Sequence, residues 1–135
     1  MKSLFPDVCT ERLAASRDFY RELLGFEVVF ENEWYVQLRL PDEPAAQIAF
    51  VERGHASVPA GHGRAPQGVL VTVELDDATA CHARARALGL EVVYPLRDEA
   101  WGQRHFMVLD PNGLLVDVVE LIPAAPEYRG YVAEP

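Results

Sequence analysis

Trp101, Gly102, Arg104 and His105 stand just ahead of the tight turn Asp110-Pro111-Asn112-Gly113, and Asp117 follows it. A guanidinium fork bonds a carbonyl or an anion through two parallel N–H groups. Arg104 can therefore meet a ligand, or it can form a structural ion pair with Asp117 or Glu74. Asp7, Glu74 and Asp117 together would make an acidic surface that suits a cation. Gly102 lets the backbone turn into the next strand with no side chain in the way.

Other chemistry is thin. No pair among His55, His62, His82 and His105 has His-x-His or i, i+4 spacing. His55 and His62 fall in a Gly/Pro-rich stretch and are expected in solvent. His82 falls on a helix. His105 lies on a strand and faces either a cavity or the helix layer. Cys9 and Cys81 make no CxxC pair and read as buried or partly buried thiols, with no base near Cys9 to form a thiolate. Ser16 and Ser57 lack a Ser-His-Asp context, and "AGHGR" (60–64) lacks phosphate-loop spacing.

The elements that must position these residues repeat. Leu4–Thr10 reads as a strand. Leu13–Leu24 reads as a helix with Phe19, Tyr20, Leu23 and Leu24 on one face, stopped by Gly25. Strands follow at Phe26–Phe30, Trp34–Leu40 and, after the turn Pro41–Pro44, Gln47–Val51. Gly54–Gly68 is a linker. The pattern then restarts with a strand at Val69–Leu75, a helix at Ala78–Leu88 capped by Asp76 or Asp77, and a strand at Leu90–Tyr94 closed by Pro95. Gln103–Leu109 and Leu114–Leu121 complete it, joined by a turn that proline and Asn-Gly define. "LLGFEVV" and "ALGLEVV" occupy the same place in the two halves, which indicates a duplicated βαβββ unit.

The expected fold class is α+β: two βαβββ modules, about 4–53 and 69–122, form a curved mixed sheet around a cup with the helices outside. Alternation along Val69–Leu75 turns Leu70, Thr72 and Glu74 toward the cup, and Phe5, Asp7 and Cys9 in the first module. The tail, 123–135, is proline-rich and expected to be extended and non-helical. It can lie across a neighbouring subunit or the cavity mouth through Tyr128 and Tyr131, or fray.

With 135 residues, half of them hydrophobic and about a quarter charged, the chain has the balance of one compact domain or of two small modules sharing one core. No apolar run approaches the roughly 20 residues of a membrane span. The first residues lack the apolar core of a signal peptide, so a cytoplasmic location is expected. A formal net charge of −9 argues against nucleic acid and anionic membranes as partners.

"SRDFYRELLGF" (16–26), "LGLEVV" (88–93) and "DPNGLLVDVVE" (110–120) resemble the vicinal oxygen chelate superfamily of glyoxalases, bleomycin-resistance proteins and extradiol dioxygenases. Its catalytic members hold a divalent metal through His and Glu side chains. Motif alignment sets those positions at Phe5, Ala49, Leu70 and Asp117, so one of four can ligate a metal. No metal and no cofactor are expected. "EAWGQR" before "DPNG" is similar to the mitomycin- and bleomycin-resistance binding proteins, in which an aromatic residue stacks on a planar ligand. The resemblance gives that role to Trp101, with Trp34 as a second wall or as packing between sheet and helix. It implies a metal-independent, homodimeric protein that sequesters a planar, aromatic or cationic small molecule such as an antibiotic, leaning away from catalysis. The ligand contacts would come from Phe5, Trp34, Leu70, Glu74, Trp101, Arg104 and Asp117. The alternative is a metal-dependent lyase or dioxygenase.

Overall fold

A computed structural model describes residues 2–131. The chain divides into two compact units. The first holds the residues up to Val69 together with the turn Asp110–Leu114; the second holds Leu70–Leu109 and the chain from Leu115 onward.

In the first unit β1 (Asp7–Thr10), α1 (Leu13–Leu24), β2 (Glu27–Glu31), β3 (Tyr35–Leu40) and β4 (Glu43–Glu52) follow in order. The sheet order is β1-β4-β3-β2. β1 runs parallel to β4 and the other pairs are antiparallel. A parallel pair needs a long crossover, and α1, β2 and β3 supply it. The second unit repeats this with β5 (Leu70–Glu74), α2 (Ala78–Ala87), β6 (Val92–Glu99), β7 (Gln103–Leu109) and β8 (Leu115–Leu121), in the order β5-β8-β7-β6. The βαβββ repeat is thus realised as two separate four-stranded mixed sheets, neither of them closed.

Helix α1 buries Ser16, Phe19, Tyr20, Leu23 and Leu24, the stripe expected of one apolar face. Gly25 ends it in the left-handed conformation (φ 73°), its N–H bonded to Arg21 O at 3.1 Å. Helix α2 begins at Asp77, whose carboxylate accepts from Ala80 N at 2.9 Å. It buries only small side chains, Ala78, Cys81 and Ala85.

The turn after β7 is held inside the first unit. Asp110 accepts from Asn112 N and Leu114 N through one carboxylate oxygen, and from the Tyr20 hydroxyl at 3.0 Å through the other. Asn112 donates to Ser16 Oγ at 2.9 Å and accepts from Thr10. Burial raises the Tyr20 phenol pKa, with the Asp110 charge adding to it.

Three expectations need correction. The turn Pro41–Pro44 is shorter than its composition suggests, because β4 begins at Glu43. Pro44 falls in the bulged stretch between the Leu40–Glu43 and Arg39–Gln47 pairs, where no ladder donor is required. Pro95 does not close β6, which continues to Glu99. The edge strand skips register between Tyr94 and Arg97 and so accommodates the proline. The tail is not wholly extended: Pro126–Tyr131 forms a 3-10 helix. Residues 132–135 of that tail lie outside the described residues. Among the described residues, no helix is long and apolar enough to cross a membrane.

Candidate functional site

Each sheet has one face against its helix and one open face. In the second unit His82 of α2 meets Phe106 edge-on, and Phe106 pairs with Val118, which pairs with Val73. That face is the apolar core. Side chains alternate along a strand, so Gln103, His105, Met107, Asp117 and Val119 occupy the open face, with Leu70, Thr72 and Glu74 of β5 beside them.

His105 is 4% exposed. Its Nδ1 lies 2.8 Å from Asp117 Oδ1. A carboxylate only accepts, so Nδ1 carries the proton of that bond and a neutral ring leaves Nε2 as a lone pair. Nε2 is buried with no hydrogen-bond partner among the described residues. Glu99 Oε2 is the nearest charge, at 3.8 Å, too far for a hydrogen bond. Glu99 is itself committed. It accepts from Arg97 Nε at 2.5 Å and from the Tyr94 hydroxyl at 3.2 Å. The Arg97 hydrogen bond is the main reason its pKa falls below the usual carboxylate value. The Arg97 guanidinium also lies over the Tyr94 ring, 4.6 Å from its centre.

Trp101 is 47% exposed. Its indole N–H donates to Gln103 Oε1 at 2.9 Å, and its ring stands edge-on to His105 and to Tyr128, each at 6.3 Å. The tail holds this corner: Ile122 N–H bonds Gly102 O at 3.0 Å and Ala125 N–H bonds Ala100 O at 2.8 Å. Gly102 has φ 104°, and a Cβ there would lie 3.0 Å from Ile122 O. The glycine is demanded by the tail's close approach as much as by the turn.

Arg104 lies on the other face with Phe106. It pairs with Asp98 at 2.7 Å and with Glu120 at 3.4 Å. Its partners are thus neither Asp117 nor Glu74, both of which project from the open face. Glu120 also accepts from Ala78 N at the start of α2, so Arg104 is part of the helix anchorage.

In the first unit the open face carries a cleft of about 300 Å³. Its walls include Asp7, Phe30, Trp34, Tyr35, Ser57 and Val58. Trp34 is neither free nor packed between sheet and helix. One face of its indole is stacked on His55 at 3.7 Å and 6°, and Ser57 N–H holds His55 Nδ1 at 3.1 Å. The segment expected to be a simple linker thus builds one wall. Tyr35 sits 5.8 Å from Trp34 and 5.9 Å from Phe30, giving a continuous aromatic surface. Phe5 is half-buried two residues ahead of Asp7.

Of the four metal positions implied by resemblance, Phe5, Ala49 and Leu70 are apolar, and Asp117 is already bonded to His105. These residues do not fit a divalent cation. Among the described residues, no group of three or more His, Cys, Asp or Glu side chains is placed to hold a metal ion.

The glyoxalase/bleomycin resistance protein/dioxygenase superfamily model matches residues 5–118. The chain belongs to that superfamily. Solved members and neighbours share its fold at low identity. A glyoxalase/bleomycin resistance protein/dioxygenase from Nocardioides is 24% identical, with 93% of this chain and 87% of that one covered and a TM-score of 0.70. A lactoylglutathione lyase from Agrobacterium tumefaciens is 21% identical, covering 89% and 94%, with a TM-score of 0.70. TnmS3, an antibiotic binding protein from Streptomyces sp. CB03234, is 21% identical, covering 90% and 96%, with a TM-score of 0.67. No curated protein matches the chain. The superfamily therefore contains both chemistries considered above, and the side chains on the open faces must choose between them.

The sequence did not reveal Tyr94, Arg97 and Glu99 as a group around His105, nor Phe30 and Tyr35 beside Trp34. The orientation of His105 was readable in principle, since alternation from the apolar Phe106 and Val108 turns it the other way.

Proposed function

We propose that the protein is a metal-independent small-molecule binder that sequesters a planar or cationic ligand, with an antibiotic as the leading class. The observation that carries this reading is the metal position itself. Three of its four residues are apolar, and the fourth, Asp117, has its carboxylate engaged by His105. Trp101 supplies a half-exposed indole held in place through its N–H, an arrangement suited to stacking on a planar molecule. Further ligand contacts are assigned to each face by itself: Phe5 and Trp34 on the first unit's, and Leu70, Glu74 and Asp117 on the second's. Arg104 acts from behind by fixing β7 to Asp98 and to Glu120. The fold of an antibiotic binding protein is compatible with the proposal, and a cytoplasmic homodimer is the working form.

The test is tryptophan fluorescence titration with bleomycin, mitomycin and simple planar aromatics, with elemental analysis of the same sample. Saturable quenching that disappears in Trp101→Ala, in metal-free protein, is the expected result. One equivalent of zinc, nickel, manganese or iron per chain, without quenching, would replace the binder with a metal-dependent lyase or dioxygenase.

A further inference from the structure

The buried carboxylates of the second unit's open face are answered by this chain's own groups: Asp117 by His105, Glu99 by Arg97 and Tyr94, while Glu74 there is exposed. Asp7 is different. Among the described residues, no side-chain donor or cation meets its carboxylate, although it lines the cleft on the first sheet. Asp7 is exposed to solvent, and partial desolvation raises its pKa. The neighbouring polar groups do not relieve it. The Tyr35 hydroxyl donates to Gln37 Oε1 at 2.8 Å, and the Ser57 hydroxyl lies 2.9 Å from His55 Nδ1.

We propose that this cleft binds an organic ammonium group, with the charge held at Asp7 and the carbon body laid against Phe30, Trp34 and Tyr35. An anion is repelled by Asp7. A neutral aromatic molecule would cover the carboxylate and leave it without a partner. A protonated amine supplies the missing donors and is also attracted to the negative faces of aromatic rings. The volume, at the lower end for ligand pockets, suits a head group or a one-ring amine. The inference rests on the binder reading above, which includes a cationic ligand, and deepens it: the ammonium group is assigned to Asp7 in a cleft that lies wholly in the first unit.

The experiment is a ¹H–¹⁵N titration of the full chain with 2-phenylethylamine and, separately, with its neutral counterpart 2-phenylethanol. The Trp34 and Trp101 indole N–H signals and the Asp7 amide are followed. The expected result is a saturable shift of Trp34 and Asp7, with the amine bound about tenfold more tightly than the alcohol. Asp7→Asn, checked for an unchanged fold by circular dichroism, should abolish that preference while leaving alcohol binding as it was. Equal affinity for amine and alcohol, an unaffected Asp7→Asn variant, or no shift at millimolar amine each overturns the proposal. Failure of the antibiotic titration with an intact amine response would refute the sequestration reading alone.

Discussion

The two units share one topology and differ in how their open faces handle charge. On the second sheet, the buried carboxylates are matched within the chain: Asp117 with His105, Glu99 with Arg97. On the first, aromatic rings line a cleft beside a carboxylate that no side chain among the described residues answers. Duplication preserves the backbone because each half needs the same helix-on-sheet burial. It leaves the open faces at liberty to diverge, since those side chains carry little of the core. One face has satisfied its own buried carboxylates, and the other is open to a partner.

The sharpest way to break this comparison is to remove one member from each face. His105→Ala leaves the Asp117 carboxylate buried and unpaired, which should cost about 3 kcal/mol in urea unfolding. Asp7→Ala removes a carboxylate with no hydrogen bond or ion pair among the described residues, and stability should stay within about 0.5 kcal/mol of the parent. If both variants lost similar stability, Asp7 would have a structural role and the contrast would fail.

A smaller effect separates two glycines of the second half. Gly102 and Gly113 both have positive φ, 104° and 80°. Only at Gly102 would a Cβ meet backbone, at Ile122 O. Gly102→Ala should therefore cost about 2 kcal/mol or more, against about 1 kcal/mol for Gly113→Ala, which pays conformational strain alone. Thermal unfolding of the pair would show it. Equal losses would mean that the tail does not press on this corner.

The fold was legible because its signals are local. The apolar stripe of α1, the glycine after it and the Asp-Pro-Asn-Gly turn each dictate backbone through their own chemistry. The prolines misled: Pro44 and Pro95 lie in bulges of strands that continue past them, and only pairing partners distant in sequence tell a bulge from a break. The site was half legible. Trp101, Asp117 and Trp34 stand out by residue type. Glu99 and Tyr94 acquire meaning only when β6 is laid beside β7, and His55 only when its loop folds onto Trp34. Arg104 shows the converse: a residue chemically fit for a ligand was turned to the helix side by strand alternation and met Asp98 there instead.

The faintest expected signal tests whether the second face is closed by charge. Arg97 and, less strongly, Tyr94 hold the folded-state pKa of Glu99 below its ordinary value of 4.5. A lowered carboxylate pKa stabilises the fold above the unfolded-state value, and that contribution drains away as pH falls through the folded-state one. Parent and Glu99→Gln proteins should then differ most near neutrality and converge on acidification between about pH 5 and pH 2. Urea midpoints at a series of pH values measure the convergence. A constant gap at every pH would mean that Glu99 contributes shape and hydrogen bonds without its charge, and the self-satisfied character of this face would then rest on His105 and Asp117 alone.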